Sequence, residues 1–119
     1  MNFYKGNRLY NKGQYDKAIA EYLDCIENCI KMEECYYNIG VSYFKLKEYD
    51  TAIKWYKKAI SLNRENRYFY NLGACYCKKE DYGSALFNLI IALKIDPYDE
   101  DTKNAINKVT EEIKKNHKN

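Results

Sequence analysis

One proline and one histidine in 119 residues rule out more than they allow. With five glycines, 46% hydrophobic and 31% charged residues, so little proline fits a folded, helix-rich chain of one domain and excludes a disordered one. The lone His117 sits near the end in a lysine- and asparagine-rich tail, so no histidine is available for a catalytic dyad or triad. No window approaches the roughly 18 consecutive apolar residues of a membrane span, and the start MNFYKGNRLY lacks the apolar core of a secretory signal. Basic side chains number 20 against 17 acidic, too even a balance to imply a nucleic-acid or membrane partner by itself. The isolated glycines form no phosphate-binding loop.

The five cysteines, an odd number, show no disulfide framework and fit reduced thiols in the cytoplasm. Cys25 and Cys29 share a helix face while Cys75 and Cys77 point to different sides, which is not the paired loop spacing of a zinc site. Cys25 and Cys75 are expected in the core, and Cys35 and Cys77 at accessible positions. No enzyme, cofactor or metal centre is expected.

What the chain does have is a period. YNIGVSYFKLKEYDTAI at residues 37–53 recurs as YNLGACYCKKEDYGSAL at 70–86, and more weakly as YKGNRLYNKGQYDKAI at 4–19. Gly6, Gly40 and Gly73, Tyr15, Tyr49 and Tyr82, and Ala18, Ala52 and Ala85 are spaced by 34 and then 33 residues. The spacing within each copy does not vary, so the missing residue belongs to the connection at Asn63–Asn66. Each copy carries two helical patterns with a polar break, such as Lys47–Glu48, between them. Tyr49 to Leu62 is expected to be one continuous helix. Glycine inside a helix costs about 1 kcal/mol relative to alanine, and its recurrence twelve residues before an alanine predicts that the two positions meet in a close helix–helix contact.

These residues resemble the tetratricopeptide repeat, a helix-turn-helix unit with small residues at the helix contact and an aromatic at the turn. The second and third copies carry the resemblance through Tyr36, Ile39, Gly40, Tyr43, Tyr49, Ala52, Tyr56 and Ala59, then Phe69, Leu72, Gly73, Tyr76, Tyr82, Ala85, Ala92 and Asp96–Pro97. The first copy has Lys5 in place of Ile39 and Leu72, and Cys25 in place of Ala59 and Ala92. It lacks about two residues at its front, so either its leading helix frays or the chain begins partway through a longer array. The resemblance implies an all-α fold, a right-handed superhelical array of antiparallel helix pairs in a single domain spanning 1–119. Repeats of about 1–32, 33–65 and 66–98 are followed by a capping helix of about 99–116. Asp99 suits that helix as N-cap, and Ala105, Ile106, Val109 and Ile113 form its apolar stripe.

Members of the family bind extended peptides in a groove lined by their first helices. Carried over by register, the groove comprises Asn7, Tyr37, Asn38, Val41, Phe44, Lys45, Arg67, Tyr70, Asn71, Ala74 and Lys78, with Tyr10 and Cys77 facing the same way. Aromatics beside amides suit a peptide main chain; the alternative is that the tyrosines simply pack between helices. The resemblance further suggests a carboxylate clamp for the acidic tail of a heat-shock chaperone. Asn7, Asn38 and Arg67 match it, while Phe3 and Asn71 replace two cations and remove charge-assisted hydrogen bonds. Single-stranded RNA is a rival partner, but Lys54, Lys57 and Lys58 lie on a second helix while Lys45, Lys47, Lys78 and Lys79 cluster near first-helix ends, so no single basic track forms. Phe87, Ile90 and Ile91 replace Lys54, Lys57 and Lys58 and are expected either to lie under the capping helix or tail, or to form a self-association or partner surface.

Overall fold

The computed structural model describes residues 2–117, and every regular element among them is an α-helix. In chain order these are α1 (Asn2–Asn11), α2 (Tyr15–Glu27), α3 (Met32–Lys45), α4 (Tyr49–Leu62), α5 (Asn66–Lys78), α6 (Tyr82–Ile95) and α7 (Glu100–Asn116). They make three helix pairs and a final single helix. The chain divides into two compact units, one ending at Asn63 and holding α1–α4, the other starting at Arg64 and holding α5–α7. Within each unit every helix packs on its neighbour in sequence.

The two helices of each pair join through the same turn. Gly13, Lys47 and Glu80 occupy equivalent places and adopt the left-handed conformation, with φ of 76°, 62° and 60°. The next amide turns back to a carbonyl five residues earlier: Gln14 to Leu9, Glu48 to Tyr43 and Asp81 to Tyr76, each at 2.9 Å. This closes the helix end and satisfies its last carbonyls. The change in repeat length has an equally local origin: α2 and α3 are separated by four residues with Cys29 and Lys31 left-handed, whereas three residues separate α4 from α5.

In the first unit, Ala18, Tyr22, Cys25, Cys35 and Ile39 form a core with Phe3. Helix α1 is formed from Asn2 and buries Phe3 and Gly6, so the expected fraying is absent over that range. Lys5 fits there because it points out and pairs with Glu21 at 3.2 Å. In the second unit, Ala85, Leu89 and Val109 are the buried centre, flanked by Ala105, Ile106 and Ile113 of the expected α7 stripe.

The side chain nearest each repeated glycine is the one sixteen residues on, a partner the spacing did not single out. A Cβ on Gly6 would lie 2.7 Å from the Tyr22 ring, one on Gly40 2.6 Å from the Tyr56 ring, and one on Gly73 2.7 Å from the Leu89 side chain. At Gly73 the alanine twelve residues on follows next, through the Ala85 carbonyl at 3.4 Å. Side chains on a helix lean toward its N-terminus, so the residue one turn beyond the alanine reaches back over it and fills the space the glycine leaves.

Candidate peptide-binding pockets

The N-cap of α7 explains how the second unit is held. Asp99 accepts hydrogen bonds from the Asp101 amide at 3.2 Å and the Thr102 hydroxyl at 2.6 Å. These bonds, the Thr102 hydroxyl first, hold the Asp99 carboxyl below the usual carboxylate range. Thr102 is fully buried, and Asn66 at the start of α5 donates both to Thr102 Oγ1 at 3.3 Å and to the Ala92 carbonyl at 3.0 Å. One asparagine thus ties the start of α5 to the last turn of α6 and the first turn of α7.

The first unit holds a cavity of about 370 Å³ lined by Asn7, Tyr10 and Asn11 of α1, Tyr22 of α2, and Tyr37, Asn38 and Val41 of α3. Asn7 Oδ1 accepts from the Tyr22 hydroxyl at 2.5 Å and from Asn38 Nδ2 at 3.4 Å. Burial pushes the Tyr22 phenol up to about 12, so it stays a donor at neutral pH. The bonds use the acceptor of Asn7 and a donor of Asn38, leaving Asn7 Nδ2 to donate and Asn38 Oδ1 to accept. Such a pair matches the C=O and N–H of a peptide unit. Tyr37 packs beside it with its ring 5.8 Å from that of Tyr56. No charged side chain lines this cavity.

The second unit holds a cavity of about 320 Å³ lined by Tyr70, Ala74, Cys77 and Lys78 of α5, Leu89 of α6, and Asp101, Asn104, Ala105, Lys108 and Val109 of α7. Lys78, Cys77, Lys108 and Val109 also line a shallower depression of about 500 Å³ that continues to Tyr82, Glu111, Glu112 and Lys115. Burial, then the charges of Asp101 and Asp99, raise the Tyr70 phenol above its ordinary value.

The structure therefore brings Asn7, Tyr37, Asn38 and Val41 together in one cavity and Tyr70, Ala74 and Lys78 in another. Phe44 instead meets Tyr49 edge to face, with ring centres 5.3 Å apart, and Lys45 is exposed outside both cavities. Arg67 pairs with Glu65 at 2.9 Å, and Asn71 donates to the Arg67 carbonyl at 2.7 Å. Phe3, in the position of a clamp cation, is a core side chain with Lys31 over its ring at 5.4 Å. Register alone missed Tyr22, Asn11, Leu89 and all the α7 residues; for Tyr22 and Leu89 the signal was present, since Tyr22, Tyr56 and Leu89 each follow a repeat glycine by sixteen residues.

One further expectation needs correction, and one pair of alternatives is narrowed. Cys35 is fully buried and its thiol donates to the Ile30 carbonyl at 3.6 Å; burial pushes it up to about 12, so it is not an accessible thiol. The exposed cysteine is Cys29, while Cys25 and Cys75 are buried as expected. Phe87 and Ile90 are 66% and 41% exposed, so α7 does not cover them. It packs on the face of α6 bearing Ala85 and Leu89, roughly half a helical turn away. Ile91 is half-buried.

Among the described residues no helix is long and apolar enough to cross a membrane, and no three His, Cys, Asp or Glu side chains converge as metal ligands would. Two family models, described as tetratricopeptide repeat and TPR repeat, match residues 33–66 and 6–47 and together run from 6 to 66. The chain belongs to the tetratricopeptide-repeat family. Three repeats and a capping helix account for the seven helices among the described residues. The tetratricopeptide fold recurs in solved structures. One is the first repeat domain of Spaghetti (RPAP3) bound to the HSP90 peptide SRMEEVD, at 23% identity and TM-score 0.86, covering 94% of this chain and 90% of that one. The second repeat domain of human RPAP3 in complex with the HSP70 peptide SGPTIEEVD gives 21% identity and TM-score 0.83, covering 92% of each chain. The TPR2AB–pHSP90 complex of yeast Sti1 gives 24% and 0.87, covering 96% of this chain and 46% of that one. No curated protein sequence matches the chain.

Proposed function

We propose that this chain is a non-catalytic, cytoplasmic interaction module that holds an extended peptide segment of a partner protein. The observation that carries this reading is the oriented amide pair in the first unit. Asn7 and Asn38 are tied to each other and to Tyr22, with one donor and one acceptor left over beside the Tyr37 ring. A neutral pocket of this kind favours an internal stretch of main chain over a charged terminus. The odd set of five cysteines supports the reducing compartment.

The experiment is capture of a partner from native lysate by the intact chain and by a Tyr37→Ala/Asn38→Ala chain. The substituted chain is expected to lose the partner while its helical circular dichroism is unchanged. Capture that survives both substitutions overturns the reading.

A second reading is docking of an acidic chaperone tail, favoured by the peptides held in the RPAP3 and Sti1 complexes. Against it, Phe3 is buried in the core and Arg67 is engaged with Glu65. Calorimetry with an acidic C-terminal peptide and its amidated form separates the readings. A clamp requires the free carboxylate form to bind more tightly, and equal affinities exclude it.

A further inference from the structure

The α5–α7 pocket differs from the first in having a charge at each end. Asn66 hydrogen-bonds Thr102, so the first turns of α5 and α7 adjoin, and Cys77–Lys78 meet Lys108–Val109 around one depression further along, so both helices run the same way. Tyr70 and Asp101 therefore share one end, as the effect of the Asp101 charge on the Tyr70 phenol also indicates. Lys78 lies eight residues beyond Tyr70 and Lys108 seven beyond Asp101, or about 10–12 Å further along at the helical rise. Both lysines line this pocket and the depression that continues it.

Neither lysine is within ion-pair distance of a carboxylate among the described residues. The nearby α7 acids are engaged elsewhere, Glu111 with Lys114 at 3.9 Å and Glu112 with Lys115 at 3.5 Å. Between the two ends lie the small apolar side chains of Ala74 and Ala105. The pocket thus presents an anion, an apolar floor and two cations in a line.

We propose that this pocket docks an extended partner segment with a cationic side chain at one end, an aliphatic one in the middle and an acidic one at the other. In an extended chain every second side chain faces the same way and four residues span about 13 Å. The spacing that fits is cation-x-aliphatic-x-acid, with the cation at Asp101 and Tyr70 and the acid between Lys78 and Lys108. The capping helix is then a wall of the binding site as well as a cover for α6. The proposal rests on the reading of the chain as a peptide binder but uses the other unit, so the two fail independently.

The test is a titration of the ¹⁵N-labelled full chain with acetyl-Arg-Ser-Leu-Ser-Glu-amide, and with the analogue carrying Gln at both ends. The charged peptide is expected to shift the amides of α5 and α7 and to bind at least tenfold more tightly than the neutral one. A Lys78→Glu/Lys108→Glu chain, altered only at exposed positions, is expected to lose that preference and to favour acetyl-Arg-Ser-Leu-Ser-Arg-amide instead. A Tyr37→Ala/Asn38→Ala chain is expected to bind the charged peptide as the unmodified chain does. Equal affinity for the charged and neutral peptides, shifts confined to the first unit, or an unchanged preference after charge reversal each overturns the proposal.

Discussion

The two units place different residues in the same slot, and the chemistry of each pocket follows. Sixteen residues after its glycine, the first repeat has Tyr22 and the third has Leu89, and both line a cavity. The Tyr22 hydroxyl orients Asn7 and gives the first pocket a wall of amides. Leu89 has no polar atom to offer, so the second pocket has an apolar floor and takes its charges from the rim. A single side chain packed against a glycine thus serves two purposes: it seals the helix pair, and it sets the polarity of the surface beside it.

The comparison is broken most forcefully at the glycines. Gly40→Ala places a methyl 2.6–3.2 Å from three atoms of the fully buried Tyr56 ring, a flat and rigid obstacle. Overpacking of that kind costs about 1–3 kcal/mol, against a helix-propensity gain of about 1. Gly73→Ala meets Leu89 Cγ and Cδ2 at 2.7 and 2.8 Å; Leu89 is buried too, but it is a smaller obstacle than a ring and has less to displace. Urea unfolding is expected to show the larger loss at Gly40; an equal or larger loss at Gly73 would break the distinction between tyrosine- and leucine-facing glycines.

A smaller effect separates the units by pH. Asp99→Ala removes the α7 N-cap, at a cost of about 1 kcal/mol, and has no counterpart in the first unit. The Asp99 carboxyl is held below its ordinary value in the folded chain. Its contribution is therefore fully present above the unfolded carboxylate range and is lost as pH falls through the lowered folded value. Asp99→Asn, which keeps a capping oxygen but cannot ionise, is expected to flatten the acid limb of the stability profile. An acid limb identical to that of the unmodified chain would contradict the assignment.

The smallest effect tests the turns. Lys47 holds a left-handed conformation that Gly13 adopts without a Cβ. Lys47→Gly is expected to raise stability by a few tenths of a kcal/mol, because relief of roughly 1 kcal/mol of strain is largely offset by the flexibility of glycine in the unfolded chain. Gly13→Ala is expected to lower it. Both shifts are readable by thermal melts, and the same sign for both would refute the equivalence of the turns.

Much of this was legible in the sequence because helix period and repeat spacing are local properties. Tyr49 to Leu62 is one helix as expected, Asp99 caps α7, and Asn7, Tyr37, Asn38 and Val41 come together because equivalent positions on stacked first helices face alike. What escaped was set by packing between helices. Spacing linked each glycine to residues both twelve and sixteen further on, and it is the N-terminal lean of side chains that brings the one at sixteen nearest. The burial of Cys35 carried a signal that went unused: its equivalent in the next repeat is Tyr68, also fully buried. The contribution of Asn104 and Lys108 could not be seen from their helix alone, since they border the apolar stripe of α7 and become a pocket wall only once α5 is set beside it.

The most direct measurement is a pair of ¹⁵N titrations on the unmodified chain, one with a neutral glutamine-containing peptide and one with the Arg-x-Leu-x-Glu peptide. The account predicts that the neutral peptide shifts the side-chain amides of Asn7 and Asn38, and that the charged one shifts the amides around Lys78 and Lys108. If both peptides move the same residues, the two pockets do not differ in what they recognise, and the role given to the position sixteen after each glycine is wrong.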